Sequence, residues 1–423
     1  MRGLLHSFSV RDYRWLWLIT TLTNAGSWTF TLVVTWQSYQ LTHSSAWSGA
    51  IMFATLIPNI FGAPIAGVLA DLLDRRRMMF AAALAQVVVT VLLASLSHAR
   101  LISPPWLLVL ALVFGFSSSA LSVLLSSLVP VIIPQEKLFN ALSLQALAQR
   151  GTEFVGPAVA SPLLVVFGPG IVYLFAALLY LAASACVFAL QKTEADRDPS
   201  ADIGRRRAFG PLIDGFAYIR RTPVIGVLVS LVGLHCALTM AYMGMLPGFV
   251  KTLHGATGLY GEMVSTVGLG SILGTLILAG VKSVKMRGTL YWVTAILSGL
   301  SLSLMAVVTN HQLVVLAVVV VGASQAMFMT LSLGYIQQMS VPNMRGRVTS
   351  FYLVLAGGFM SLANLGFGAL SNTLSPVWIM GTTGILFMIT VFIYGLSSRK
   401  FRSVCRWGVF EPEIPVTVSN LSV

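Results

Sequence analysis

The feature of this sequence that most constrains its fold is a series of apolar stretches, each about 20 residues long, that recur from one end to the other. A helix rises ~1.5 Å per residue, so each stretch can cross the ~30 Å hydrocarbon core of a bilayer. The stretches do not alternate in polarity as barrel strands do, and a helix satisfies its own backbone groups in lipid. Charged residues make up only 9% of the chain. The sequence therefore predicts an all-α integral membrane protein.

Twelve stretches have the length and polarity of a transmembrane helix. They cover 16–38, 47–69, 78–97, 106–129, 141–166, 170–190, 224–246, 259–281, 289–308, 313–335, 349–370 and 377–396. The first is longer than the apolar core of a signal peptide and lacks a small-residue cleavage site, so we expect it to stay in the protein.

The distribution of positive charge predicts the orientation of the chain. Of the 26 lysines and arginines, all but Arg100, Arg150 and Lys251 lie at the amino end, in loops that follow an even-numbered stretch, or in the carboxyl tail. Because cytoplasmic loops collect Lys and Arg, both termini are predicted to lie on the cytoplasmic side of a cell inner membrane. The net charge of +13 then reflects topology and contact with anionic lipid, and no nucleic-acid partner is expected.

A long polar stretch divides the apolar ones six and six, which predicts two halves. We expect a six-helix bundle at 1–190, a cytoplasmic linker at 191–222, a second bundle at 223–396 and a cytoplasmic tail at 397–423. Apolar residues at mostly helical spacing in the second part of the linker predict a helix along the inner membrane surface. An irregular basic loop is the alternative there.

The loop between the second and third stretches carries the most specific motif. It places two acids and three arginines between apolar segments, in the order Gly67-Val-Leu-Ala-Asp71-Leu-Leu-Asp74-Arg75-Arg76-Arg77. With the twelve stretches and the central linker, it resembles the major facilitator superfamily, whose motif G-x-x-x-D-[RK]-x-G-[RK]-[RK] has counterparts in Gly67, Asp71, Arg75 and Arg76.

This resemblance implies the major facilitator fold, twelve transmembrane helices in two six-helix bundles, and a gating role for the four matching residues. In that superfamily the aspartate caps a helix end, and the arginines pair with acids across the interface between the bundles, which latches the outward-facing state. Leu72 and Asp74 depart from the motif. Arg345 and Arg347, in a similar basic segment before the eleventh stretch, are assigned to the same gate.

Three further segments, 11–44, 210–223 and 339–350, are similar to the enterobactin-exporter-like and macrolide-efflux-like multidrug exporters of that superfamily. The resemblance implies a secondary active transporter that exports a bulky, partly apolar small molecule, drug-like or siderophore-like, by alternating access and proton-coupled antiport. The fourth stretch carries serines and no arginine, and Ser27 stands where this branch often has an acid, so the coupling ion and the substrate stay open. A nontransporting receptor or a lipid flippase on the same fold is the alternative.

Three charged residues fall within or at the edge of the apolar stretches: Arg150, Glu153 and Glu262. A charge there costs at least ~2.5 kcal/mol on insertion scales, so each needs a partner or a role. Arg150 and Glu153 are three residues apart on one helix face and can neutralise each other. Glu153 is thus either a proton carrier or half of a fixed ion pair. Glu262 begins the eighth stretch and is a further coupling candidate.

Polar and aromatic side chains that recur on one helix face predict the wall of a substrate cavity. In the first stretch, Asn24, Trp28 and Thr31 belong to such a stripe. The other candidates, in stretches five, seven, ten and eleven, are Gln145, Gln149, His235, Thr239, Tyr242, Gln325, Phe328 and Asn364. Hydrogen bonds between helices are the alternative role for each of them.

No cofactor and no metal site are predicted, because Cys186, Cys236 and Cys405 have no short spacing. We expect a monomer whose partners are a small-molecule substrate, protons and membrane lipids. A membrane-embedded enzyme is the competing class, since Gly115-Phe-Ser117-Ser118 resembles the serine motif of rhomboid proteases and His235 could supply a base. Twelve stretches in two halves do not fit that family, and the chain is predicted not to be an enzyme.

Overall fold

The computed structural model describes residues 6–191 and 210–408, and within these ranges the chain is helical and contains no strand. The first part of the predicted linker, 192–209, and the end of the predicted tail, 409–423, lie outside the described residues. The α-helices are α1 (Arg11–Thr42), α2 (Ser45–Leu56), α3 (Pro58–Leu72), α4 (Arg75–His98), α5 (Pro104–Ile132), α6 (Gln135–Phe167), α7 (Pro169–Val187), α8 (Gly210–Arg221), α9 (Pro223–His235), α10 (Leu246–Thr252), α11 (Thr257–Gly280), α12 (Val284–Val307), α13 (His311–Met339), α14 (Arg345–Leu370), α15 (Pro376–Ser397) and α16 (Arg399–Trp407).

Among the described residues, ten helical segments are long and apolar enough to cross a membrane. Two of them are composite: Ser45–Ala66 joins α2 to most of α3, and Pro223–Gly244 joins α9 to the irregular turns that follow it. Two long helices, α1 with 32 residues and α6 with 33, fall outside this set. Both are polar for their length, and both contain a stretch that the sequence analysis counts among its twelve.

Two of the predicted stretches are interrupted. Pro58 begins α3 directly after α2, and because proline has no backbone N–H it cannot extend the hydrogen-bond ladder of the preceding turn. In the seventh predicted stretch, α9 passes into a π-helical turn, Cys236–Met240, and a 3₁₀ turn, Ala241–Gly244, before α10 begins. Such irregular turns inside helices are frequent at functional sites.

The buried apolar core shows how the two halves meet. One cluster contains residues of both halves, including Trp36 and Phe114 of the first and Tyr260 and Met305 of the second. It lies at the end of the molecule where α1 ends and α2 begins, which the charge distribution predicts to be external; we call this end the predicted outer face. At the opposite end, one core cluster belongs to the first half and another to the second half and α8.

Close helix contacts join the halves in two places, one of them at the predicted outer face. A methyl group built on Gly49 of α2 would collide with the carbonyl oxygen of Asn364 in α14 and lie 3.0 Å from Gly368 Cα. On the other side of the molecule, a methyl group on Gly268 of α11 would lie 2.5 Å from the backbone of Glu153 in α6. Glycine therefore allows both pairs of helices to approach backbone to backbone.

Two short helices lie outside the transmembrane segments. α8 occupies the second part of the predicted linker and packs on α14: Asp214 Oδ2 lies 3.0 Å from Arg347 Nη1, and Phe216 contacts Phe351 with ring centroids 5.6 Å apart. α16 packs on α12 through Phe401 and Val404, which are buried. The linker helix thus binds the second half of the chain.

Candidate substrate cavity and gating contacts

A cavity of about 270 Å³ lies within the first half, between α1, α4, α5 and α6. Its wall is made of hydroxyl and amide side chains with a few aliphatic ones. The polar lining residues are Thr20, Thr23, Asn24, Ser27, Gln86, Ser118, Ser122, Ser126, Gln145 and Gln149. Among the described residues, no charged side chain belongs to this lining, so the cavity can recognise a ligand by hydrogen bonds without fixing its charge.

Two buried amides of this wall have unused acceptor atoms. Gln145 Nε2 donates to Thr20 Oγ1 at 2.7 Å, whereas Gln145 Oε1 has no hydrogen-bond partner among the described residues. Gln86 is 1% exposed, and its Oε1 likewise has no partner in the described part of the chain. A buried carbonyl oxygen without a donor is costly, so both atoms favour a ligand or water that donates hydrogen bonds.

Only part of this wall was predicted from the sequence. Asn24, Gln145 and Gln149 line the cavity, whereas Gln86 and the serines of α5 were not assigned to it. Ser118, Ser122 and Ser126 recur every four residues and could have been recognised as a stripe on one face of α5. Gln86 is a single polar residue in an apolar helix, and its spacing carries no such signal.

The two other candidates of α1, Trp28 and Thr31, lie away from this cavity. Trp28 packs against α6, since a methyl group on Gly156 would lie 3.2 Å from Trp28 Cβ. Thr31 is half-buried, and its carbonyl oxygen accepts a hydrogen bond from Thr35 Oγ1 at 2.7 Å. Neither residue belongs to the lining of the cavity.

In the second half, the candidates of α9 and α13 form one buried hydrogen-bonded cluster around Ser298 of α12. His235 Nε2 and Ser298 Oγ are 2.9 Å apart, and Ser298 Oγ donates to Thr239 Oγ1 at 3.3 Å. Gln325 Nε2 donates to the Thr239 carbonyl at 2.6 Å. Phe328 covers the imidazole of His235 with ring centroids 4.4 Å apart. The structure thus brings together four residues that the sequence analysis proposed for one cavity, but they are packed against one another.

Tyr242 and Asn364 belong to the closed outer contact. Asn364 Oδ1 accepts a hydrogen bond from the backbone N–H of Gly244 at 3.0 Å, two residues after Tyr242 in the 3₁₀ turn. Both side chains are buried, at 3% and 0% exposure, and the Tyr242 hydroxyl has no partner among the described residues. Asn364 therefore holds the α9–α10 connection against α14.

The coupling candidates occupy different environments. Arg150 Nη1 lies 3.2 Å from Glu153 Oε2, with the arginine side chain 35% and the carboxylate side chain 11% exposed. The backbone of Glu153 packs against Gly268 of α11, so this residue lies at the interface between the halves. Glu262 is more exposed and lies 3.4 Å from His311 Nε2 at the predicted outer end of α11.

The predicted gating loop connects α3 to α4 within the first half. Asp74 caps α4, because its Oδ1 accepts from the backbone N–H groups of Arg76 and Arg77 at 2.9 and 3.1 Å. Arg76 donates to the backbone carbonyls of Val187 and Phe188 at the end of α7, where the helix dipole favours a cation.

The remaining gating residues are less fully defined. Gly67 and Asp71 lie in α3, but the side chain of Asp71 is outside the described part of the structure. Arg75 begins α4. Arg345 Nε donates to the Ser340 carbonyl at 3.3 Å, whereas Arg347 pairs with Asp214 of α8. In this conformation, Arg76, Arg345 and Arg347 contact the linker helix or carbonyls of their own half.

Comparison with known proteins gives the family of the chain. Residues 3–404 match the family described as transmembrane secretion effector. The staphyloferrin A transporter of Staphylococcus aureus (strain NCTC 8325 / PS 47) is 21% identical over 89% of this chain and 94% of that protein. The enterobactin exporter EntS of Salmonella choleraesuis (strain SC-B67) is 24% identical over 86% of this chain and 88% of that protein.

Solved structures of major facilitator transporters share the fold. The nucleoside transporter NupG superposes with a TM-score of 0.72 and 14% identity, over 93% of this chain and 98% of NupG. A POT family transporter in complex with 5-aminolevulinic acid gives a TM-score of 0.73 and 12% identity, over 93% and 97% of the two chains. The chain therefore belongs to the transmembrane secretion effector family of major facilitator transporters, and it is a multi-pass membrane transporter rather than an enzyme.

Proposed function

We propose that this transporter exports a siderophore-like small molecule across the cell inner membrane by alternating access, coupled to the entry of protons. The observation that carries the substrate class is the cavity between α1, α4, α5 and α6, with its uncharged polar wall and the free acceptor atoms of Gln86 and Gln145. A ligand rich in hydroxyl and amide N–H donors matches these groups. The names of the two siderophore-transporting relatives support the same class.

The cavity also bears on the size of the substrate. Drug-sized ligands occupy pockets of ~300–1,000 Å³. The cavity within the first half, at about 270 Å³, is somewhat smaller than these pockets. The substrate would therefore extend from this cavity into the space between the halves, towards Arg150 and α14. The arrangement of the core supports alternating access, because the halves share one apolar cluster at the predicted outer face and have separate clusters at the other end. The described conformation then corresponds to a transporter closed to the outside.

We further propose that twelve helices cross the membrane. α1 and α6 would be the two crossings in addition to the ten apolar segments. Four polar residues of α1 and two of α6 line the cavity, and α6 also holds the Arg150–Glu153 pair, which accounts for the more polar composition of these two helices. Reporter fusions after residues 43, 100 and 168 should then report one side of the membrane, and fusions after residues 73, 134 and 408 the other.

Transport into everted membrane vesicles tests the substrate and the energy source. Vesicles should accumulate a catecholate or carboxylate siderophore more than a macrolide, and an uncoupler should abolish uptake. Gln86→Leu and Gln145→Leu should each weaken apparent substrate affinity about two- to tenfold, the cost of one lost hydrogen bond. Gln312→Leu, at an exposed site in the first turn of α13, is the matched control. A strain from which the gene for this protein is deleted gives the alternative outcome. If that strain loses a susceptibility phenotype but still moves siderophore at the parent rate, the protein is a receptor instead.

Proton coupling is assigned to Glu153. This carboxylate lies at the α6–α11 interface and is largely buried, so closure and opening of that interface would change its solvation and hence its affinity for a proton. Glu153→Gln should retain substrate exchange between two equal compartments but lose accumulation driven by an imposed pH gradient. Glu262→Gln, at the exposed end of α11, should retain both activities. If Glu153→Gln retains gradient-driven accumulation, the pair with Arg150 is structural.

A further inference from the structure

Three sulfur atoms meet in the second half at the irregular turn after α9. Cys236 and Met240 are the first and last residues of the π-helical turn, and their sulfur atoms are 3.9 Å apart. The thioether of Met329, which projects from α13, lies 4.0 Å from the same Cys236 Sγ. We propose that these three sulfurs form a binding site for a soft monovalent cation, Cu(I) or Ag(I), a role separate from the substrate cavity of the first half.

The two distances from Cys236 Sγ match those expected in a three-coordinate soft metal site. Metal–thiolate bonds are about 2.3 Å long, and three sulfurs in a plane around one ion at that distance lie about 4.0 Å from one another. Cys236 is separated from both methionine sulfurs by this distance before any metal is bound. Thiolate and thioether ligands are soft, so they favour Cu(I) over magnesium or calcium.

Two of the sulfurs belong to residues four positions apart in one helical segment, which places them on the same face. A π-helical turn is wider than an α-helical turn and is retained in proteins mostly where it serves a function. Here it spans the residues from one sulfur ligand to the other. Tyr352 of α14 adds a third helix to the site, since its hydroxyl lies 3.7 Å from Met329 Sδ.

Access and charge are consistent with a soft cation. Cys236 is 2% exposed, whereas the two methionines are half-buried, so an ion would enter past the thioethers. In the described ranges no group of three histidine, cysteine, aspartate or glutamate side chains is placed to hold a metal, and this site relies on thioethers instead. Binding of Cu(I) would replace the thiol proton, which leaves to bulk water, and the thiolate would neutralise the ion without any redox step.

Competition for Cu(I) in the purified full-length protein tests the site. The protein in detergent is titrated anaerobically against bicinchoninate, with ascorbate keeping the copper reduced. We expect one bound Cu(I) per chain, with affinity lowered at least about tenfold in Cys236→Ser, Met240→Leu and Met329→Leu. Met243→Leu and Cys405→Ser, which leave the three sulfurs intact, should bind like the parent. No binding, or equal binding by all five variants, would overturn the proposal.

Two further measurements separate loss of the site from loss of the fold. Methionine and leucine have similar volumes, so the methionine variants should melt within a few degrees of the parent without metal. Ag(I) should raise the melting temperature of the parent and of Met243→Leu, but not of Met240→Leu or Met329→Leu, because only a ligand that binds the native state stabilises it. X-ray absorption of the Cu(I) form should show three sulfur neighbours at about 2.3 Å. A nitrogen-dominated shell would contradict this ligand set.

Discussion

The indole ring of Trp36 in α1 stacks on the phenol ring of Tyr260 in α11, with centroids 4.9 Å apart and planes 19° from parallel. Both side chains are buried, and Lys251 Nζ lies 5.6 Å from the centroid of the same indole. Three helices from the two halves therefore meet at one aromatic contact near the predicted outer face. Opening of that face requires the rings to separate.

Replacing Tyr260 by Leu should favour the outward-open state. Loss of an aromatic pair costs ~0.5–1.5 kcal/mol, which corresponds to about a two- to tenfold larger open population. The measurement is the rate at which a membrane-impermeant maleimide labels Ser45→Cys, a buried position of the closed outer contact, in a background without native cysteines. Trp292→Leu is the control, because Trp292 contacts Phe392 within the second half. Equal labelling in both variants would show that the stack does not hold the face closed.

Replacing Gly49 by Val should prevent closure of the outer face. Its side chain would collide with the Asn364 carbonyl and approach Gly368, and neither backbone can retreat without separating α2 from α14. We expect substrate transport to fall by at least about tenfold, with faster labelling of Ser45→Cys than in the parent. Gly366→Ala in α14 is the matched control, since a methyl group there meets nothing within 4 Å. Normal transport by Gly49→Val would mean that this contact is not part of the cycle.

We expect the attachment of α8 to α14 to depend more on close packing than on the Asp214–Arg347 ion pair. Asp214 and Arg347 are about half exposed, so breaking their pair with Asp214→Asn should cost no more than ~1 kcal/mol. Next to it, a methyl group on Gly215 would lie 2.6 Å from the Arg347 carbonyl oxygen. Gly215→Val should therefore displace α8 from α14, which is measured as faster limited proteolysis within α8. Greater proteolysis in Asp214→Asn than in Gly215→Val would reverse this ranking.

Hydropathy located the apolar part of each transmembrane helix but not the ends of the helix. The first predicted stretch, 16–38, lies inside α1, which runs from Arg11 to Thr42, because a helix does not end where its residues stop being apolar. The π-helical turn after α9 was not predicted, since its residues have no local signal that distinguishes them from helix.

The candidate site was predictable only in part, and for a physical reason. A polar stripe marks the helix face that avoids lipid, but the same stripe serves a cavity or a packed interface. Gln145 lines a cavity, whereas His235 and Gln325 are sealed among neighbours that only tertiary packing reveals. Arg76 donates to a backbone carbonyl at the end of α7. Every residue has such a carbonyl, so the sequence cannot identify this partner.

Cys405 gives a prediction of pH dependence outside the membrane-spanning helices. Burial of α16 against α12 raises the pKa of the Cys405 thiol from 9.0 to about 12. Between these values the unfolded chain releases a proton that the folded chain retains, so Cys405 favours folding below pH 9 and this contribution is lost as the pH rises towards 12. At pH 9, iodoacetamide should alkylate native Cys405 slower by roughly two to three orders of magnitude than Cys405 of the detergent-denatured chain, both in a Cys186→Ser and Cys236→Ser background. If the alkylation rate of native Cys405 instead rises with a pKa near 9, α16 does not stay packed on α12 in solution.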